Sequence, residues 1–185
     1  MYYRTGLNEY QRGRLNAKLQ LTGSLVLQVR SRVLDNQNPA PDIRFDYRSQ
    51  DNAAAIYWTP NGGKRVSFMG EYDRATVRSD IRYIDLPFFT PATSSYRDTA
   101  HQATAAADLV LPRFTGAKLT VGGSLFISHG SRPTRYYQPL ARMSIPLHKS
   151  ISWNSEWQYY GFGEQFYYFE GFRTHVFMTG VRLTR

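Results

Sequence analysis

Apolar and polar residues alternate along most of this chain with a period of two. From Ser150 to Gly161, Ile151, Trp153, Trp157 and Tyr159 share one parity, broken only by Ser155. Ser152, Asn154, Glu156 and Gln158 take the other. Lys118–His129 sets Leu119, Val121, Gly123, Leu125 and Ile127 against Thr120, Gly122 and Ser124. Tyr136–Leu147 sets Tyr137, Pro139, Ala141, Met143, Ile145 and Leu147 against Gln138, Leu140, Arg142 and Ser144. Lys64–Tyr72 (Val66, Phe68, Gly70, Tyr72) and Val176–Leu183 (Phe177, Thr179, Val181, Leu183) behave alike. Side chains of a strand point alternately to its two faces, so each segment predicts a strand with one apolar face.

Three segments have less contrast. Ala17–Arg30 sets Leu19, Leu21, Leu25, Leu27 and Val29 against Gln20, Thr22, Gln28 and Arg30 and is read as one strand. The stripe Leu15, Leu19, Val26, Val29 and Val33 also fits a helix. Ile43–Thr59 and Asp98–Pro112 are alanine-containing strands. The total is about eight strands, each reaching the roughly 9–11 residues of a tilted membrane crossing. Connections at Pro60–Gly63, Arg113–Ala117 and Leu147–Ser150 are short. The alternate connections, Val33–Asp42, Ser79–Arg97 and Phe162–Glu170, are longer, with Gly130–Pro133 as the tight exception. Short turns at one end and long loops at the other are the arrangement of outer-membrane barrels.

The expected fold is therefore all-β: an antiparallel transmembrane β-barrel of about eight strands, or the carboxy-terminal part of a larger one. Residues 1–185 would form one domain, with 1–14 as the tail of a missing preceding strand and turn. A soluble, lipocalin-like barrel also alternates, but it turns its apolar side chains inward around a small hydrophobic ligand. Scarcity of lysine on the polar face favours a lumen. Glu71, Asp73, Asp108, Arg142, Glu156 and Arg182 are its candidate ion-pair partners. A turn centred between His148 and Lys149 would set Arg142 opposite Glu156. Tyr57, Trp58, Tyr136, Tyr137, Trp153, Trp157 and Tyr159, with the run Phe166 to Phe169, collect near strand ends. They are candidates for an interfacial girdle.

Composition narrows the classes. The chain has 185 residues and no cysteine, which removes disulfide scaffolds and Cys-based zinc or nucleophile chemistry. No apolar run is long enough for a transmembrane helix. The mean hydropathy of -0.49 does not exclude a membrane barrel, whose alternation averages out as hydrophilic. The formal charge is +9, carried by 19 Arg and 4 Lys. The arginines are dispersed through polar segments, and no nucleic-acid-binding motif accompanies them, so nucleic acid is not an expected partner. Arginine forks suit phosphates of lipid headgroups or lipopolysaccharide, or a plain solvated surface. The amino terminus lacks the h-region of a signal peptide, so an exported protein is expected here as a mature form or a piece of a longer chain.

The stretch Gly122–Arg185 resembles the carboxy-terminal strands of bacterial outer-membrane β-barrels, in particular of large uncharacterised barrel proteins. Gly180, Val181 and Leu183 loosely follow the closing assembly signal of such barrels, while Arg185 stands where an aromatic is expected. The resemblance implies an outer-membrane location, the lipid bilayer as partner, and a passive role as anchor, surface-loop scaffold or part of a pore.

His129-Gly130-Ser131 is the one catalytic-looking spacing, since alternation would set imidazole and hydroxyl on one face. It is similar to the His-x-Ser of outer-membrane phospholipases and lipid A deacylases, which makes a lipid hydrolase a lower alternative. No third member lies nearby in the pattern, and Gly130 and Pro133 also suit an ordinary turn. His101, His148 and His175 have no ligand spacing, so neither metal nor cofactor is expected.

Overall fold

The computed structural model describes residues 9–38, 44–85, 88, 90–112, 116–164 and 172–183. They form nine strands: β1 Glu9–Thr22, β2 Leu25–Asn38, β3 Phe45–Trp58, β4 Val66–Asp85, β5 Thr90–Leu111, β6 Ala117–Gly130, β7 Thr134–His148, β8 Ile151–Glu164 and β9 Phe172–Leu183. One turn of 3-10 helix, Pro60–Gly63, joins β3 to β4. All pairings are antiparallel and follow chain order from β1 to β9 in a single sheet. The sheet is not closed into a barrel: among the described residues β1 pairs only with β2, and β9 only with β8.

Seven of the eight predicted strands are present as single strands, and the eighth divides into two. Ala17–Arg30 is not one strand. Gly23 and Ser24 form a tight turn between β1 and β2. The reason it escaped the pattern lies in the register. Leu19 faces Leu27 and Gln20 faces Val26, so odd residues keep to one face on both sides of the turn. The alternation runs through the turn without a phase break. Residues 9–14, expected as a tail, belong to β1. The rest of the expected tail, the run Phe166 to Phe169 and Arg185 lie outside the described residues.

The predicted long loop Ser79–Arg97 is mostly strand. β4 continues to Asp85 and β5 starts at Thr90, with Asp85 opposite Thr90. The neighbours stop earlier: β3 ends its pairing at Phe45 opposite Ile81, and β6 at Gly130 opposite Asp98. The end of this hairpin therefore projects as a two-stranded ribbon. Both of its faces mix polar and apolar residues, Arg82 with Ile84 on one and Tyr83 with Asp85 on the other, which removes the contrast that marks a strand in sequence.

The link from β6 to β7 depends on backbone approach. Gly130 has φ +148, and a Cβ there would lie 2.1 Å from the Arg97 carbonyl oxygen. The adjacent Ser131 N–H donates to that same oxygen at 2.7 Å, and the Arg97 N–H donates to Ser131 Oγ at 2.8 Å. Gly122 is equally close-fitting, its Cβ position 2.5 Å from the Ala105 carbonyl oxygen. Gly130→Ala is expected to destabilise the folded chain by about 1–3 kcal/mol through strain and lost approach. A denaturant titration followed by circular dichroism would read this, and an unchanged midpoint would show that the turn tolerates a side chain.

Candidate functional site

The register sorts the side chains into two faces. One cross-strand row runs Ala17, Val29, Ala54, Tyr72, Ala103, Leu125, Tyr137, Gly161 and Arg173. The face that carries it is called outer here, and the opposite face inner. With the exceptions of Ala117 and Gly161, the buried residues, Ala53, Ala55, Ser79 and Ser128, are inner. So are the sheltered polar side chains Arg30, Asn36, Asp51, Asp73 and Asp98. A single sheet with no second layer can shelter one face only by curling toward it, so the inner face is the concave one.

The outer face is the apolar one, and it is exposed. Leu19, Leu21, Ile56, Trp58, Phe68, Tyr72, Val121, Leu125, Tyr137, Phe177, Val181 and Leu183 all stand there, Phe177 at 74% and Leu183 at 75% exposure. Of the other exposed large side chains, Tyr10, Ile81, Tyr83 and Met178 are inner by parity.

These outer residues form a band oblique to the strands. On β1 the band spans Leu15–Leu21, centred beside Ala17, and the row from Ala17 ends on β9 at Arg173. On β9 the band spans Phe177–Leu183, about six residues further along the strand, or about 20 Å. Eight strand spacings cover about 38 Å, so the strands tilt roughly 30° from the normal of the band. Along β6 the band runs from Leu119 to Ile127, about 27 Å.

Aromatics with polar tips gather at the long-loop edge of the band. Tyr72 and His101 bond through Oη and Nδ1 at 2.6 Å. The Tyr137 and Tyr159 hydroxyls lie 2.8 Å apart, and their rings stack at 5.1 Å. Tyr159 meets the His175 ring at 4.8 Å, and Trp157 Nε1 donates to His175 Nδ1 at 3.3 Å. Opposite Tyr137 is Gly161, where a Cβ would lie 2.9 Å from the Tyr137 ring; the missing side chain is the room the ring occupies. Of the seven aromatics expected for a girdle, Trp58, Tyr137, Trp153, Trp157 and Tyr159 are outer. Tyr57 and Tyr136 are inner by register, Tyr136 stacking on Phe126 at 4.6 Å. Trp153 stands near the short-turn end, its Nε1 donating to Thr179 Oγ1 at 2.9 Å.

The inner face carries a polar network. Arg142 stands opposite Glu156, as the turn position implied, and holds it through Nε at 2.9 Å and Nη2 at 3.0 Å. Gln158 donates to Glu156 and Tyr160 to Gln158, which extends the chain of bonds along β8. Asp108 accepts from Ser67 at 3.2 Å and from Thr120 at 2.6 Å. Arg182 is on the same face, opposite Ser152. Glu71 and Asp73 share one guanidinium: Arg30 Nη2 reaches Glu71 Oε1 at 3.1 Å and Asp73 Oδ2 at 3.4 Å.

Arg30 was not singled out in the sequence because it sat in a low-contrast segment. The signal was the small side chain between the partners. Arg30 on β2 crosses β3 to reach β4, and at the crossing stand Ala53 and Ala55, 6% and 5% exposed. Alanine leaves the guanidinium room to pass.

Of the hydrolase residues, His129 is on the outer face opposite Thr99. Ser131 lies beyond the strand, its hydroxyl accepting the Arg97 N–H. No group of three or more His, Asp or Glu able to hold a metal occurs among the described residues, and none of their helices is long and apolar enough to cross a membrane. Compared with known proteins, the chain matches no protein-family model, no curated protein and no solved structure.

Two outcomes follow from these charges. Arg30→Met leaves Glu71 and Asp73 without their shared cation, and is expected to cost about 1–3 kcal/mol. Arg142→Met breaks a more exposed pair and is expected to cost at most about 1 kcal/mol. Equal losses in denaturant titrations would contradict the central role of Arg30. Asp80, toward the long-loop end of β4, is held below the usual carboxylate range by the Ser95 hydroxyl and then by Arg78. Its contribution is present above the unfolded-state value and is lost as pH falls through the lowered one. Asp80→Asn should therefore flatten the acid limb of stability against pH, and an unaltered limb would count against it.

Proposed function

We propose that this chain is part of the wall of a bacterial outer-membrane β-barrel, with the outer face against lipid and the inner face lining a polar lumen. Its role is passive: it anchors surface loops at one end and contributes to a pore. The observation that carries the reading is the inversion of the faces. A soluble binding barrel gathers its large apolar side chains on the concave side. Here they stand exposed on the convex side, and ion pairs and hydroxyls fill the concave one. The oblique band supports the same reading, since barrel strands cross a membrane tilted by about 35–45° through an apolar layer of about 25 Å. So do the Tyr, Trp and His tips at its edge, which suit an interface apolar at one end and wet at the other.

Strand direction adds a constraint on closure. β1 and β9 both run from the long-loop end to the short-turn end, because the described residues form an antiparallel meander of nine strands. Joined directly, they would pair in parallel. A second copy inserted in the same orientation would offer edges of the same direction. Fully antiparallel closure takes an odd number of further strands, the first and last of them running the other way, which supports a larger barrel as the arrangement.

The absence of cysteine makes a direct test clean. Single cysteines at each position from Leu119 to Ile127, spin-labelled in the reconstituted full chain, should alternate. Odd positions should collide with oxygen dissolved in lipid, and even positions with a water-soluble nickel complex. Reversed alternation in a protein folded without detergent would establish the soluble binding barrel instead. Cysteines on β1 and β9 should not cross-link within one chain. A rapid intramolecular disulfide there would mean parallel closure at nine strands.

A further inference from the structure

Above the apolar band, on its long-loop side, the outer face turns basic. Arg48, Arg78 and Arg97 are direct cross-strand neighbours on β3, β4 and β5. Opposed side chains on adjacent strands stand about 4.5–5.5 Å apart at Cβ, and like charges there are destabilising. Three guanidinium groups in one row are thus a costly arrangement unless an anion completes it. The acids near the row do not balance it. Asp80 takes Arg78 Nε at 2.9 Å and Ser95 Oγ at 2.6 Å. Asp35 flanks Arg48, and Asp46 faces Asp80 one step outward, where Arg44 and Arg82 add two more cations. On this stretch of the outer face five arginines meet three aspartates.

The row also borders a cavity of about 270 Å³. Arg48, Arg78 and Arg97 line it on one side, and Thr76, Thr99 and His129 on the side nearer the band. The donors are of the kind a phosphate takes: planar forks for bidentate contacts, hydroxyls and an imidazole. The edge of the apolar band begins within about two side-chain rows, at Tyr72 and Ala103. The outer-face arginines at the described positions, Arg74, Arg135 and Arg173 included, lie on this same side of the band.

We infer that Arg48, Arg78, Arg97 and His129 form a site for the phosphomonoester group of an anionic lipid, whose acyl chains lie along the band beneath it. The inference rests on the outer face being the lipid-facing one, and it names the headgroup chemistry that face selects. A phosphomonoester presents three oxygens and close to two charges near neutral pH, against one charge and two free oxygens on a phosphodiester. Three forks in a row discriminate between them. The position of His129 in this cavity also gives it a use that needs no bond to Ser131.

The test uses the full chain folded in zwitterionic micelles and short-chain lipids that differ only in headgroup: phosphatidic acid, phosphatidylglycerol and phosphatidylcholine. Dissociation constants would be read by calorimetry, with inorganic phosphate as a fourth probe. Phosphatidic acid should bind about tenfold or more tighter than phosphatidylglycerol, and Arg78→Gln/Arg97→Gln should remove that preference. Lys64→Gln, a cation at the opposite end of β4, should leave it unchanged. Equal affinity for the two anionic lipids, or a variant that keeps the preference, overturns the site. Inorganic phosphate bound as tightly as phosphatidic acid overturns the lipid assignment. Flotation of the same protein with phosphatidylcholine vesicles reports separately on the membrane reading, since it needs no headgroup charge. A chain that floats but shows no preference has lost the site alone.

Discussion

Each strand of this chain is held by its neighbours in one sheet, and no second layer among the described residues covers either face. That constraint governs the rest. Backbone donors and acceptors are satisfied between strands, so the side chains carry the whole burden of fitting each face to its surroundings. On the concave side, charges find one another. On the convex side, large apolar groups stand exposed. In a sandwich or a helix-covered sheet that surface would be the core.

The concave network depends on small residues as much as on charged ones. Ala53 and Ala55 let Arg30 cross an entire strand to Glu71 and Asp73. A larger residue at either position would hold the guanidinium away and leave two carboxylates, two residues apart on one face of β4, unneutralised. Gly161 works the same way on the other face, where Tyr137 occupies the space above it. Both faces are therefore shaped by absent side chains that composition alone does not reveal.

Much of this was legible in the sequence, and the exceptions have physical causes. The strands with Trp, Tyr, Leu and Val on one parity were read correctly, as was the pairing of Arg142 with Glu156, because a tight turn fixes register. The turn at Gly23-Ser24 was missed because the alternation passes through it in phase. The far end of the β4–β5 hairpin was missed because both of its faces mix polar and apolar residues. The arginine row was legible only in part: arginines in polar segments suited lipid phosphates, but Arg48, Arg78 and Arg97 are separated in sequence and meet only once three strands are in register. Likewise, nothing local to Tyr57 or Tyr136 distinguishes them from Trp58 and Tyr137, yet one residue of offset puts them on the opposite face.

The chain order of the sheet bears on how it is made. Every strand pairs with the strand just before or after it in sequence, so each new hairpin closes a short loop at small entropic cost. Assembly can then proceed as a ribbon that widens from either end, each edge templating the next strand. The two outermost edges are the last to find partners. Until they do, they offer unpaired N–H and C=O groups to any extended segment, which leaves the unfinished ribbon open to mispairing and aggregation.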